Sequence, residues 1–215
     1  TKLSFIPSER NLVSVIRNID QSYRSAESDV LFNYIFEWGE AKDSYTAEHP
    51  KRLSFTDNIE YINDGGNDLV RLINENKMIP VYYASSGVQS AMPLDVMADY
   101  FTGLVGKNAS VSKHDLANTL ARYLGKDKEL TNEMLKSISN KMKYQSVQLF
   151  IEEPEQNLYP DSQRNLTINL VCALKQAMPK GRGDSMLVMT THSPYILSTL
   201  NVLIAEAYAM DAKPK

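Results

Sequence analysis

The side chains best suited to chemistry follow two apolar runs near the end of the chain. Glu152 and Glu153 come directly after the run 146–151, and His192 comes just after the run 186–189. Both runs have the composition of buried parallel strands. Parallel strands end at one edge of a sheet, where open α/β folds bind their ligands. Since carboxylates and imidazoles are the usual groups of acid–base chemistry, we predict a ligand site at this edge.

A second candidate segment lies in the middle of the chain. Ser85, Ser86 and Gly87 separate the apolar run 78–83 from a helical pattern that extends to about residue 101. Ser85 or Ser86 is the predicted N-cap of that helix. Pro93 lacks a backbone N–H, so we expect it to kink the helix.

The elements that position the carboxylates form a strand–helix–strand unit. The spacing of leucines predicts an amphipathic helix over 161–178 between the two strands, which implies a parallel sheet with right-handed connections. Ser193 and Pro194 predict the start of a short helix to residue 200. The pattern at 201–205 favours one more strand.

The rest of the chain predicts helices, a hairpin and a helical lobe. Residues 2–6 form a predicted strand that Pro7 stops. Alternating apolar residues on both sides of residues 64–67 indicate a β-hairpin, and residues 43–57 indicate a loop. Predicted helices cover 11–25, 29–40, 113–124 and 132–142. We therefore divide the chain into 1–84, with amino-terminal helices and hairpin, 85–145, a helical lobe, and 146–215, an α/β core.

Composition restricts the class of protein. The 215 residues are 43% hydrophobic and 23% charged, which predicts a globular fold with a buried core. The net charge of −3 argues against a broad nucleic-acid surface but leaves room for a local basic strip. A single cysteine, Cys172, fits a reducing cytoplasm. The chain has neither an 18-residue apolar run nor a signal-peptide pattern, so we expect a cytoplasmic protein outside the membrane.

Three segments together resemble one family. Residues 151–155 with 158–160 resemble the Walker B motif and D-loop of ABC-class ATPases, in the branch of RecF, SMC and OLD-like proteins. Residues 191–194 are similar to the switch-histidine motif of that branch, and residues 85–89 to its signature motif. The segments occur in the order of the family, with a helical stretch between signature and Walker B. Residues 6–10 are a weaker similarity without an assigned role.

The resemblance implies a role for each matching residue, with ATP and Mg²⁺ as ligands. Glu152 would hold the Mg²⁺ sphere through water, Glu153 would polarise the attacking water, and His192 would sense the γ-phosphate. The signature would contact, at a helix N-terminus, the γ-phosphate of ATP held by the other subunit of a homodimer. The implied nucleotide-binding residues of the signature are Ser85, Ser86, Gly87 and Gln89.

The sequence departs from the family pattern at three places. Glu152 replaces the usual Asp of Walker B, and Tyr159 replaces the usual His before Pro160. The third departure is the absence of a Walker A pattern, G-x-x-x-x-G-K-[ST], since the segments around Lys107 and Lys126 both fail it. The resemblance therefore implies a P-loop that lies before the first residue, and weak or absent ATP binding by this chain alone.

Three functions are compatible with these residues. The first is the carboxyl-terminal part of an ATPase that hydrolyses ATP in a head-to-tail dimer and drives a conformational change, with DNA maintenance or defence as a candidate process and a nucleic acid or protein as target. The second is a non-catalytic regulatory or interaction module, which the joint presence of Glu153 and His192 disfavours. The third is an OLD-like nuclease, which requires a further metal-binding domain after His192.

Overall fold

The computed structural model of this α/β chain describes residues 1–17, 19, 29–107 and 143–211. Two sheets carry its strands. The first is a three-stranded parallel sheet of order β1–β6–β7, and the second is a four-stranded antiparallel sheet of order β2–β3–β4–β5. The predicted α/β class, with a parallel core and a hairpin, is confirmed.

The parallel sheet joins the first strand of the chain to the two strands that precede the candidate site residues. It consists of β1 (Lys2–Ile6), β6 (Val147–Glu152) and β7 (Met186–Thr190). β6 lies between the other two, with Ile6 beside Ile151 and Glu152 beside Thr190. The segment 1–84 thus contributes a strand to the sheet of the segment 146–215.

The antiparallel sheet forms from a continuous stretch of chain. Its strands are β2 (Lys51–Arg52), β3 (Ile59–Asp64), β4 (Asn67–Leu72) and β5 (Lys77–Pro80). The predicted hairpin is confirmed as β3 and β4. Its turn residues Gly65 and Gly66 have φ angles of 57° and 91°, a conformation that glycine adopts without steric cost. The region predicted as a loop at 43–57 contains the short strand β2.

Five α-helices cover the sheets in the described part of the chain. The two amino-terminal ones are α1 (Leu12–Val15) and α2 (Val30–Lys42), and a 3₁₀ turn, Ser8–Asn11, precedes α1. A second 3₁₀ turn, Val81–Tyr83, leads to α3 (Ser86–Leu104). The last two helices are α4 (Pro160–Ala177) and α5 (Pro194–Asp211). A third 3₁₀ turn, Met178–Lys180, directly follows α4.

The core lies between the parallel sheet and helices α2, α3 and α4. The apolar stripe of α2 faces it, since Tyr34, Ile35 and Trp38 are buried and Leu31 is partly buried. The rings of Trp38 and Tyr61 of β3 pack at a tilt of 52° with centroids 5.6 Å apart, so α2 also joins the two sheets. Helix α3 is buried along most of its length, which fixes the position of its N-terminus against the sheet.

Several predicted elements need correction. No strand occurs at 201–205, because α5 continues through this region to Asp211, and residues 201–211 contain neither glycine nor proline. Helix α1 ends at Val15, where Ile16 is extended, although the spacing predicted a helix to residue 25; residues 18 and 20–28 lie outside the described part. The helices predicted at 113–124 and 132–142 also lie outside it.

Strand β7 is less buried than its apolar sequence predicted. Met186 and Val188 are exposed, whereas Leu187 and Met189 are partly buried against the core. The difference arises because α4 packs on one face of β7 and, within the described residues, the other face has no covering element.

None of the helices at 1–17, 29–107 or 143–211 combines the length and apolar character needed to span a bilayer.

Candidate active site

The two acidic residues stand at a sharp turn directly after β6. Glu152 is the last residue of the strand, and Glu153 adopts a left-handed conformation with φ of 43°. Its backbone N–H donates to the carbonyl of Thr190 at 2.9 Å, which extends the pairing of β6 with β7 by one residue. A left-handed conformation costs a glutamate roughly 1 kcal/mol or more, so the surroundings must hold this turn in place.

Glu153 and His192 meet at the carboxyl edge of the parallel sheet, as the sequence predicted. His192 Nε2 lies 3.8 Å from Glu153 Oε1, and Gln156 Nε2 donates to Glu153 Oε2 at 3.2 Å. The side chain of His192 is 90% exposed and that of Glu153 is 41% exposed. Both groups are therefore accessible to a ligand that approaches this edge from solvent.

Glu155 fixes the backbone that carries the imidazole. Its Oε1 accepts a hydrogen bond of 2.7 Å from the backbone N–H of His192. Ser193 caps the start of α5, where its Oγ accepts from the N–H of Tyr195 at 3.2 Å. His192 therefore lies in the short loop between β7 and α5, and the hydrogen bond to Glu155 holds this loop against the β6 turn.

The segment after β1 supports the same turn from the opposite side. The backbone N–H of Ser8 donates to Glu152 Oε2 at 3.2 Å. Arg10, whose side chain is fully buried, donates to the backbone carbonyls of Glu152 and Glu153, both at 2.7 Å. The segment 6–10, to which the sequence assigned no role, thus contacts both acidic residues.

The serine-rich segment forms a capped helix start. Ser85 is the N-cap of α3, and its Oγ accepts from the N–H of Val88 at 3.4 Å. Ser86 is the first helical residue, and both serines are exposed. Their position leaves backbone N–H groups and the positive end of the helix dipole at the surface, which suits an anion. Gln89 has a different placement, since its Nε2 donates to the carbonyl of Tyr82 at 2.8 Å.

The start of α3 packs closely on the loop that follows the acidic turn. A Cβ atom on Gly87 would lie 2.8 Å from the carbonyl oxygen of Asn157, so only glycine allows this approach. Asn157 has a left-handed φ of 58°, and its Nδ2 donates to Ser90 Oγ at 2.8 Å. The segments that resemble the signature and the D-loop are therefore in direct contact.

A cleft of about 580 Å³ opens at this contact. Its lining includes Ser85, Ser86 and Gly87 from one side and Asn157 and Tyr159 from the other. The lining contains neither of the acidic residues at the end of β6, nor the imidazole beside them. The structure therefore gathers the candidate residues into two groups, one at the sheet edge and one at the cleft.

The acidic turn has the donor chemistry that Mg²⁺ requires. Mg²⁺ prefers carboxylate oxygens and keeps several waters, and in nucleotide sites it is bound by one or two carboxylates together with phosphate oxygens. Glu152 and Glu153 supply this number of carboxylates. No three His, Cys, Asp or Glu side chains converge on one point within the described ranges, so those residues do not build a cage made of protein ligands alone.

Sequence reasoning missed three residues that shape this site: Arg10, Glu155 and Asn157. Glu155 and Asn157 lie within the segment that resembles Walker B and the D-loop, but their partners, a backbone N–H at His192 and a hydroxyl at Ser90, are distant in sequence. Arg10 lies in the only part of the resemblance that had no role. The arginine three residues after Pro7, which stops the first strand, was the available signal.

Comparison with known proteins gives a family for the chain. Residues 6–197 match the family described as the AAA ATPase domain, which covers most of the 215 residues. No curated protein matches the chain. The matched region begins in β1 and ends in α5, so it contains the acidic turn, the imidazole and the capped start of α3. This chain therefore belongs to the AAA ATPase domain family.

Proposed function

We propose that this chain supplies the catalytic carboxylate, the switch histidine and the signature segment of an ATPase that works as a head-to-tail homodimer. Its two composite sites would each combine the acidic turn of one chain with the start of α3 of the other. The proposal places the chain in the branch of RecF, SMC and OLD-like ATPases, where hydrolysis drives a conformational change.

The approach of His192 Nε2 to within 3.8 Å of Glu153 Oε1, at the exposed edge of the sheet, supports the catalytic part of this proposal. Two chemically different groups from adjacent strands face the same space there. A carboxylate that polarises water must lie beside the phosphate that the water attacks, and an imidazole at the same place can contact that phosphate.

The separation of the two groups of residues supports the dimer. The serines at the start of α3 line a cleft that excludes the acidic turn of the same chain. In the proposed dimer, a nucleotide whose γ-phosphate contacts those exposed N–H groups would belong to the other subunit. Helix N-termini bind phosphates through these free N–H groups and the helix dipole.

Each residue at the edge would have one task. Glu153 would orient and polarise the attacking water, and Glu152 would hold the Mg²⁺ sphere through water. Bound Mg²⁺ would supply positive charge that offsets the charge of the phosphates. The phosphate-binding loop would come from polypeptide outside this sequence, since no G-x-x-x-x-G-K-[ST] pattern occurs in these 215 residues.

The test is Glu153→Gln in the protein assembled with its phosphate-binding loop. The amide keeps the size of the side chain and can still accept hydrogen bonds, but it does not polarise water as a carboxylate does. We expect kcat to fall by about 10²-fold or more while Mg-ATP still binds. Glu60→Gln, on β3 of the antiparallel sheet, is the matched control. Normal turnover by Glu153→Gln would show that this residue is not the catalytic carboxylate.

A further inference from the structure

Arg10 connects two parts of the site that lie far apart in sequence. Its Nη1 and Nη2 donate to the carbonyls of Glu152 and Glu153, and its Nε donates to the carbonyl of Ser90 in α3, at 2.8 Å. A further bond of 3.2 Å reaches the carbonyl of Pro7. One planar guanidinium therefore joins the acidic turn, α3 and the segment after β1.

The second turn of α3 is built to receive this segment. Pro93 has no backbone N–H, so the carbonyl of Gln89 lacks the donor that the fourth following residue of a helix normally provides. Ser14 Oγ donates to that carbonyl at 2.7 Å instead. Arg10 and Ser14, four residues apart, thus bind adjacent carbonyls of α3.

Burial of a charged guanidinium is unfavourable in free energy, yet Arg10 is buried in this fold. The Arg10 side chain is 0% exposed. Burial lowers its pKa from the ordinary value, while the carboxylates of Glu155, Glu153 and Glu152 act in the opposite direction. Taking a charged group out of water costs several kcal/mol unless hydrogen bonds compensate. An apolar side chain would fill the same space without that cost, so the geometry of the donors is what the arginine provides.

We propose that Arg10 is a positioning residue that fixes the Glu152–Glu153 turn relative to the start of α3. This inference rests on the proposed function for its catalytic consequence. Under that function, the acidic turn and the start of α3 of one chain serve two different nucleotides. A displacement of the acidic turn at one composite site would then displace the start of α3 at the other site, because the planar guanidinium of Arg10 binds both segments.

The test compares Arg10→Lys with Arg71→Lys. Lysine keeps the charge but presents a single ammonium, which cannot span three carbonyls in the way that a guanidinium fork does. Arg71 pairs with Glu60 in the antiparallel sheet, away from the site, and serves as the control. Steady-state kinetics of the assembled ATPase, well below the unfolding temperature of each variant, should show kcat lowered about tenfold or more for Arg10→Lys and KM changed less than about threefold. Unchanged kcat in folded Arg10→Lys would overturn the proposal.

Hydrogen exchange tests the connection without ATP. In this chain alone, the hydrogen-bonded amides of Glu153, Gln156 and Leu158, and those of Val88 and Gln89 in the first turn of α3, should exchange faster in Arg10→Lys than in Arg71→Lys. Exchange equal to that of the control at both places would overturn the positioning role. If Arg10→Lys does not fold, Arg10→Gln replaces it, and failure of both to fold would assign Arg10 to stability alone.

The two measurements separate this inference from the proposed function. Faster exchange at both places, together with normal turnover by Glu153→Gln, would leave the Arg10 connection intact and overturn the proposed catalytic role. Loss of turnover in Glu153→Gln, together with unaltered exchange in Arg10→Lys, would support the proposed catalytic role and overturn the Arg10 connection.

Discussion

At the scale of single residues, the site depends on backbone conformations that most side chains avoid. Glu153 and Asn157 are both left-handed, and they bracket a turn of only five residues. Hydrogen bonds hold this turn from three directions: from β7 through Thr190, from Arg10, and from Ser90. Such strained conformations persist where the surrounding structure over-determines them, which is typical of active sites.

The close approach of α3 to the loop at Asn157 leads to a prediction at Gly87. In Gly87→Ala the new Cβ would meet the Asn157 carbonyl at 2.8 Å, so α3 and the loop must separate. We expect a loss of about 1–3 kcal/mol in the free energy of unfolding and a marked loss of turnover in the assembled ATPase. Urea unfolding and steady-state kinetics are the measurements.

Gly103 provides the control in the same helix. A Cβ there would meet only Lys107 Nζ, at 3.9 Å, so Gly103→Ala should be tolerated and should stabilise the chain by roughly 0.5–1 kcal/mol. Equal effects of the two substitutions would mean that the contact between Gly87 and Asn157 has no special importance.

At the scale of elements, α3 is the part of the fold on which most of the site depends. Its N-terminus lines the cleft, its second turn accepts Arg10 and Ser14, and its third turn carries the fully buried Asp95. Asp95 accepts hydrogen bonds from the N–H of Ser54 at 2.6 Å and from Asn169 Nδ2 at 3.0 Å. Lys51 Nζ of β2 lies 3.8 Å from Asp95 Oδ1, so Asp95 joins α3 to the antiparallel sheet, to the loop after β2 and to α4.

Asp95 also makes stability depend on pH. Burial raises its pKa above the ordinary value of an aspartate, so the folded chain holds the proton more tightly than the unfolded chain. This contribution to stability is present below the unfolded pKa and is lost as the pH rises through the raised folded pKa. The free energy of unfolding of the native chain, minus that of Asp95→Asn, should therefore decrease as the pH rises across this interval.

Urea unfolding at constant ionic strength measures that difference. Asp99→Asn is the matched control, because Asp99 lies one turn further along α3, is partly exposed and also contacts Lys51. A difference that increases with pH would contradict the assignment to Asp95.

The elements show which features the sequence could predict. The hairpin, α2, β6 and the capped start of α3 depend on local patterns, and they were predicted correctly from alternation, helical spacing and the Ser85 cap. The role of Arg10 could not be predicted, because its main acceptors are backbone carbonyls far away in the chain. Every residue has a backbone carbonyl, so residue types do not show which carbonyls accept a hydrogen bond. The strand expected at 201–205 was wrong because a short apolar run has no periodicity that separates strand from helix.

At the scale of the whole molecule, the proposed dimer predicts complementation between defective chains. Ser86→Arg would obstruct the start of α3 and leave the Glu153 and His192 of its own chain intact. In a heterodimer of Ser86→Arg with Glu153→Gln, the head-to-tail arrangement places both defects in one composite site and leaves the other site intact. We expect partial recovery of ATPase activity on mixing the two inactive proteins, provided that the sites fire independently.

Detection of the heterodimer by differently tagged chains is the necessary control for this mixture. Since recovery requires that the two defects fall in one site, a mixture that forms heterodimers and stays inactive would contradict a head-to-tail dimer whose two sites fire independently.

The pairing of β1 with β6 has a consequence for the synthesis of the chain. The antiparallel sheet uses neighbouring segments and can form as soon as residues 51–80 have left the ribosome. β1 must wait for its partner, since Ile6 pairs with Ile151, and closing so long a loop is entropically unfavourable and slow. The acidic turn, which Arg10 and Thr190 hold in place, therefore acquires its shape only after the antiparallel sheet is able to form.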